Sequence, residues 1–168
     1  MHINFSQLLI DGLLQSIQHF WQFYLLIAFV IAIKVLYLIY GRYRLGKAGM
    51  FEIDKMSGDD FERYLAMLFE KLGYRVQIVG SHKGDYGTDL ILEKQGVRTA
   101  VQAKCWHNSV GIKSIQEVYG SLHFYNCTKA IVVTNNYFTQ QAKRLAETNN
   151  VELWDRYKLT QVILSTKT

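Results

Sequence analysis

The sequence predicts an α/β domain with a mixed β-sheet flanked by helices, preceded by one transmembrane helix. Three features lead to this prediction: a long apolar run near the N-terminus, short β-type segments separated by segments of helical periodicity, and a close-set group of strands between them. The chain has 168 residues, which is enough for one domain of ordinary size, since most domains hold about 100 to 150 residues.

The apolar run covers residues 20–40. Every residue from Phe23 to Ile33 is apolar or aromatic, and the whole run has about the length that crosses roughly 30 Å of hydrocarbon. Lys34 lies near the end of the run, where a lysine side chain can extend to the interface. These residues are therefore predicted to form a single transmembrane helix.

Charges on the two sides of this run predict its orientation. Arg42, Arg44 and Lys47 follow it, whereas Asp11 is the one formal charge before it. Because positively charged flanks stay in the cytoplasm, the C-terminal part is expected to be cytoplasmic, in a single-pass protein of a bacterial inner membrane. The lipid bilayer is thus one expected partner.

The other segments are assigned by composition. Residues 1–19 place apolar side chains at helical spacing among polar ones, which predicts an amphipathic segment in the membrane interface. They contain no Lys or Arg, unlike a cleaved signal peptide, so the segment is expected to stay attached. Residues 41–50 are a basic linker, and residues 51–168 are the folded domain.

The first helix of this domain has a clear start and end. Ser57 and Asp60 resemble a capping box, and Gly73 can end the helix. Between them, one apolar stripe has the period of a helix and contains Phe61, Leu65, Leu68, Phe69 and Leu72.

Later segments give the order α-β-β-β-α-β-α-β. Strands are predicted over 74–79, 89–92, 97–105, 130–134 and 151–154, with helices over 112–122 and 139–148. Strands that are separated by helices need crossovers, whereas the close-set middle strands can pair antiparallel. The sheet is therefore expected to be mixed.

Net charge alone does not identify a ligand. The chain carries +5, but residues 48–168 hold 15 Lys plus Arg against 13 Asp plus Glu, a net charge of +2. Basic residues beside a membrane can set the orientation of a transmembrane helix or bind anionic lipid. A role in binding nucleic acid must therefore be argued from a site.

Such a site is predicted where Asp89 begins a strand and Gln102 and Lys104 share one face of the next strand. Phosphodiester hydrolysis needs a divalent cation, to neutralise the phosphate and activate water, and a positive group beside the developing charge. Oxygen atoms of Asp89, Gln102 and the Ala103 backbone suit Mg²⁺, and Mn²⁺ is a second candidate. Lys104 would lie beside the attacking water.

At these residues the sequence resembles the Mrr-type branch of the PD-(D/E)xK nuclease superfamily. Five stretches carry the resemblance, in the family's order: FERYLAMLFEKLGY (61–74), KGDYGTDLIL (83–92), VQAK (101–104), VGIKSIQEVYGSL (110–122) and VVTNNYFTQQAKRLAE (132–147). Together they extend over most of residues 56–164. The membrane segment has no counterpart in the resemblance.

The resemblance implies a restriction-endonuclease-like core with Asp89 as metal ligand and Lys104 as catalytic lysine. Gln102 takes the position that is Glu or Asp in the wider superfamily. Glu62 matches the family's helical acidic residue, and Asp85 matches the first acid of its Gly-Asp-x-Gly-x-Asp loop. Gln116 is an accessory candidate from the residues alone, and the candidates for DNA contacts are Lys83, Lys113, Trp106 and Asn108.

The predicted function is therefore a membrane-anchored, metal-dependent DNA endonuclease acting in restriction or defence against foreign DNA. Two alternatives stay open: a catalytically inactive module that tethers DNA at the membrane, and a membrane-bound interaction subunit without a nucleic-acid role. Cutting both strands would favour a homodimer, since one site holds one scissile bond.

Overall fold

The structure is a computed structural model that describes residues 5–46, 49–79 and 86–166. The chain divides into two compact units, Met1–Arg44 and Leu45–Thr168. The described residues of the first unit are helical, and the second unit contains the sheet and the helices that cover it.

Helix α1 (Phe5–Gly46) has 42 residues, which corresponds to about 63 Å. Its segment Trp21–Tyr40 has a mean hydropathy of 2.4 and is long and apolar enough to cross a membrane. The side chains of this segment are exposed, as a lipid-facing surface would be.

Helix α1 differs from the expectation of a separate N-terminal helix and a linker that begins at residue 41. The described residues on both sides of the apolar segment continue the same helix as far as Gly46. The chain contains no proline, and one glycine such as Gly12 or Gly41 costs a helix only about 1 kcal/mol, which is too little to end it. Lys47 lies outside the described residues.

The second unit begins with the short helix α2 (Met50–Ile53) and the longer helix α3 (Gly58–Lys71). The predicted cap of α3 is confirmed, because the Ser57 hydroxyl accepts a hydrogen bond from the Asp60 amide at 3.2 Å and donates one to the Asp60 carboxylate at 2.9 Å. Gly73 follows the helix with a φ of +82°, a conformation that favours glycine. The predicted apolar stripe is buried from Phe61 to Phe69.

Five strands form one sheet in the order β1-β2-β3-β4-β5. The strands are β1 (Arg75–Ile78), β2 (Leu90–Lys94), β3 (Val97–Lys104), β4 (Lys129–Thr134) and β5 (Val151–Trp154). The first two pairings are antiparallel and the last two are parallel. This confirms the predicted mixed sheet and the α/β fold class.

Helices cover both faces of the sheet. Helices α4 (Ile112–Ser121) and α5 (Gln140–Thr148) lie in the crossovers of the parallel strands, as predicted. Helix α6 (Arg156–Ser165) was not predicted, although the Asp155 side chain caps it by accepting from the Lys158 amide at 3.0 Å. That capping residue was the signal in the sequence.

The two faces of the sheet have separate cores. The first core contains Val101 and the buried faces of α3 and α6, with Ala103 and Cys105 packed against it. The second core contains Ala100 and the buried faces of α4 and α5. Because side chains alternate along β3, Gln102 and Lys104 project to the face that α4 covers. The predicted alternation along this strand is confirmed.

Candidate functional site

A cleft of about 510 Å³ lies at the C-terminal end of β3. Residues from four parts of the second unit line it: the start of α3, the loop before β2, the end of β3 with the residues after it, and one side of α4. The lining residues are Gly58, Glu62, Tyr86, Gly87, Asp89, Gln102, Ala103, Lys104, Cys105, Trp106 and Glu117. The structure thus brings together the predicted residues Asp89, Gln102, Lys104 and Glu62.

Asp89 is held by its backbone and by its side chain. Its amide donates to the Val101 carbonyl, and its own carbonyl accepts from the Val79 amide, both at 2.8 Å. Asp89 is 4% exposed, and its carboxylate Oδ2 accepts from Gln102 Nε2 at 2.5 Å and from the Ala103 amide at 2.6 Å. One buried carboxylate therefore has a fixed place at the end of β3.

Gln102 has a buried oxygen without a partner. The residue is 3% exposed, its Nε2 donates to Asp89, and its Oε1 has no hydrogen-bond partner among the residues that the structure describes. A buried carbonyl oxygen in this state costs about 1–3 kcal/mol. Such an oxygen is suited to act as a ligand of a cation. Rotation of the side-chain amide by half a turn would exchange the positions of its oxygen and its nitrogen.

Lys104 lies between a carboxylate and an indole ring. Its Nζ is 3.6 Å from Glu117 Oε2 and 5.7 Å from the ring centroid of Trp106. The second oxygen of Glu117, Oε1, is 3.7 Å from Lys113 Nζ. Glu117 thus contacts both lysines.

The accessory candidate Gln116 does not line the cleft and is exposed, and its neighbour Glu117 lies there instead. The reason is the phase of α4, whose buried stripe contains Ser114, Ile115 and Val118. At about 100° per residue, position 117 flanks that stripe, whereas position 116 is on the opposite side of the helix. The stripe was visible in the sequence, but which of its flanks faces the cleft was not.

The loop before β2 is fixed against α4 by Gly87. This residue has a φ of +83°, and a Cβ placed on it would lie 2.5 Å from Glu117 Cβ. The next residue, Thr88, is buried, and its hydroxyl lies 2.5 Å from that of Ser121, which donates to the Val118 carbonyl. Backbone and side-chain contacts therefore join the loop that carries Asp89 to the helix that carries Glu117.

Trp106 is positioned by a polar network that the sequence did not reveal. Its amide donates to Asn135 Oδ1 at 2.8 Å, and Asn135 Nδ2 donates to Asp54 Oδ1 at 3.1 Å. Arg156 donates to both oxygens of Asp54, at 2.6 and 2.9 Å, and thereby holds the pKa of Asp54 below its usual value. These groups come from α2, the end of β4 and the start of α6.

The remaining candidates differ in their positions. Trp106 lines the cleft and is 48% exposed, whereas Asn108 is exposed but does not line it. Lys113 does not line the cleft itself, but its Nζ contacts Glu117, which does. Tyr86, which the sequence reasoning missed, lines the cleft with an exposed ring that packs on Phe124 at 4.3 Å between centroids. Lys83 and Asp85 lie outside the described residues.

The donor atoms in the cleft fit a hard divalent cation. No group of three or more His, Cys, Asp or Glu side chains is placed to hold a metal among residues 5–46, 49–79 and 86–166. The candidate oxygen donors for such a cation are those of Asp89 and Gln102 and the Ala103 carbonyl, which points to the same strand edge as the Ala103 amide. Oxygen donors of this kind are those that hard divalent cations prefer, and some of these cations bind few protein ligands and keep water or phosphate oxygens.

Comparison with known proteins identifies relatives of the second unit. The family model Mrr_cat, described as a restriction endonuclease, matches residues 53–163. The type IV methyl-directed restriction enzyme EcoKMrr of Escherichia coli (strain K12) is 34% identical over 101 residues, which cover 55% of this chain and 33% of that protein. The chain thus spans about a third of the length of this curated relative.

Solved structures agree on the fold. The DNA modification-dependent restriction endonuclease AspBHI has a TM-score of 0.56 at 20% identity, over 74% of this chain and 36% of that one. A protein of unknown function, AF1548, has a TM-score of 0.53 at 19% identity, over 63% and 64% of the two chains.

Proposed function

We propose, because the chain belongs to the Mrr_cat restriction endonuclease family, that its second unit is a divalent-metal-dependent DNA endonuclease acting in restriction or defence. The observation that carries this proposal is the joint placement of Asp89, Gln102 and Lys104 in one cleft. The unpartnered Oε1 of Gln102 adds an oxygen that has no structural use in the described part of the chain.

The residues of the cleft have separate tasks in this proposal. Asp89, the side-chain oxygen of Gln102 and the Ala103 carbonyl would hold the cation, for which Mg²⁺ is the first candidate and Mn²⁺ the second. When bound, the cation supplies charge neutralisation at the phosphate and lowers the pKa of water. Lys104 places a positive charge beside the attacking water and the developing charge. Glu62 orients water from the side of α3.

The exposed groups around the cleft suit a DNA strand. Lys113 can contact phosphates, and the half-exposed ring of Trp106 and the exposed ring of Tyr86 offer faces for bases. Asn108 lies near Trp106 in the chain and can add a polar contact. Cutting both strands in one encounter would favour a homodimer, since this cleft holds one scissile bond.

The direct test is incubation of supercoiled plasmid with the full-length protein in a neutral detergent. We expect nicked and linear DNA with Mg²⁺ and intact plasmid with EDTA, because the oxygens in the cleft require a cation to act on phosphate. Binding without cleavage under both conditions would instead identify an inactive DNA tether. Neither binding nor cleavage would favour a membrane-bound interaction subunit.

We also propose that Trp21–Tyr40 spans a bacterial inner membrane once, with the second unit in the cytoplasm. The support is the exposed apolar surface of this segment and the basic residues Arg42, Arg44 and Lys47 after it. A fusion of alkaline phosphatase to Thr168 should be inactive, and a green fluorescent protein fused there should fluoresce. An active phosphatase fusion would overturn the orientation and remove access to cytoplasmic DNA.

A further inference from the structure

Glu117 stands between two lysines at the edge of the cleft. Its Oε2 is 3.6 Å from Lys104 Nζ, and its Oε1 is 3.7 Å from Lys113 Nζ. The side chain of Lys104 is 21% exposed and that of Lys113 is 84% exposed. One carboxylate therefore faces both a lysine inside the cleft and a lysine at its rim.

We infer that Glu117 is a positioning residue that restrains Lys104 for the reaction and lowers DNA affinity by pairing two lysines that would otherwise contact phosphate. This inference rests on the proposed nuclease function and assigns a task to a residue that family resemblance and sequence patterns left without one. It predicts an unusual combination: loss of the carboxylate strengthens DNA binding and slows cleavage.

Stability does not explain the placement of Glu117. Ion pairs near the surface typically contribute about 0–1 kcal/mol, because solvent screens them and long side chains lose freedom. An acidic side chain beside a phosphate-binding lysine also opposes the approach of DNA through like charge. The carboxylate is therefore better explained by what it does to Lys104.

The restraint on Lys104 comes from two sides. The Glu117 carboxylate lies near the ammonium group, and the Trp106 ring lies 5.7 Å away. The backbone amide of Trp106 donates to Asn135, which anchors the chain segment that carries this ring. A catalytic group that is held near its working position does not have to be ordered during the reaction, which lowers the barrier.

The position of Glu117 is also fixed by the packing of α4. Its neighbours Ile115 and Val118 are fully buried in the second core. Its backbone and Cβ lie so close to Gly87 that a side chain at position 87 would have to displace them. The carboxylate is thus carried by a rigid part of α4 and joined to the loop that leads to Asp89.

The test is Glu117→Gln in the full-length protein, which keeps the shape of the side chain and removes its charge. DNA affinity is measured without divalent cation, and the cleavage rate is measured with Mg²⁺ under single-turnover conditions. We expect the Kd to fall about threefold or more and its salt dependence to steepen, because released lysines exchange counterions with DNA. We expect the cleavage rate to fall about tenfold, since Lys104 loses its restraint.

Two further variants separate a local effect from a general one. Glu147→Gln removes the same charge from an exposed position on α5 that does not line the cleft, so it should leave both quantities close to those of the parent. Adding Lys113→Gln to Glu117→Gln should reverse the gain in affinity without restoring the rate. Equal melting temperatures would exclude a folding defect as the cause of slow cleavage.

The outcomes distinguish this inference from the function on which it rests. A parent protein that neither binds nor cuts DNA would overturn both. A parent that cuts DNA, beside a Glu117→Gln variant that cuts equally fast or binds DNA no more tightly, would overturn the role of Glu117 alone. If Glu147→Gln changed the DNA affinity and the cleavage rate as much as Glu117→Gln, the cause would be the net charge of the protein, and the role of Glu117 would again be overturned.

Discussion

Asp89→Asn is expected to reduce Mg²⁺-dependent DNA cleavage by at least about a hundredfold while the fold persists. The substitution removes the negative charge that would hold the cation. It keeps an oxygen that can accept from Gln102 Nε2 and from the Ala103 amide, which both donate to Asp89 in the parent. Asp89→Ala should abolish cleavage as well, but it would also leave these two buried donors without their acceptor.

Lys104→Ala should reduce cleavage by a similar factor, because the uncharged methyl group cannot stabilise charge beside the attacking water. Lys129→Ala is the matched control, since Lys129 is exposed and lies at the opposite end of the parallel strands from Lys104. The measurement is the rate of plasmid nicking, with melting temperatures for each variant. Cleavage by Asp89→Asn at the parental rate would place the metal site elsewhere.

Gln102→Ala should reduce cleavage about a hundredfold, whereas Gln102→Glu should retain most of the activity. Alanine removes both the oxygen offered to the cation and the hydrogen bond to Asp89. Glutamate keeps an oxygen at the same distance from the backbone and adds charge, as in the wider superfamily that the sequence resembles. Plasmid cleavage with Mg²⁺ measures this difference.

Gln102→Glu should also make stability depend on metal. Without a cation, the new carboxylate would lie against that of Asp89 in a buried place, which is unfavourable for two like charges. We therefore expect a lower melting temperature than the parent in EDTA and a recovery with Mg²⁺. Gln77→Glu on exposed β1 is the control and should show no such recovery. If Gln102→Glu were as inactive as Gln102→Ala, Gln102 would act through its amide hydrogens.

Local patterns in the sequence predicted most elements of the fold. Ser57 and Asp60 marked the start of α3 because a helix cap depends on a few neighbouring residues. The alternation along β3 predicted that Val101 faces a core while Gln102 and Lys104 share the other face. Helix α6 was not predicted, although Asp155 was a capping signal of the same local kind.

Sequence spacing also brought Asp89, Gln102 and Lys104 into one predicted site. Asp89 directly precedes β2, and β2 pairs antiparallel with β3 after a short turn. The end of β3 therefore lies beside the start of β2. The pairing of Leu90 with Val101 then brings position 89 next to position 102. Contacts between neighbouring strands follow from local rules and can be read without the rest of the fold.

Only the tertiary structure selected Glu117 over Gln116 and joined Trp106 to Asn135, Asp54 and Arg156. These contacts link α2, β3, α4, β4 and α6, whose relative placement depends on how two cores pack against one sheet. Sequence periodicity determines which side of a helix is buried, because the apolar residues that recur at helical spacing form one stripe and this stripe packs on the core. It does not determine which polar residue beside that stripe faces a cleft, because this depends on the angle at which the helix crosses the sheet.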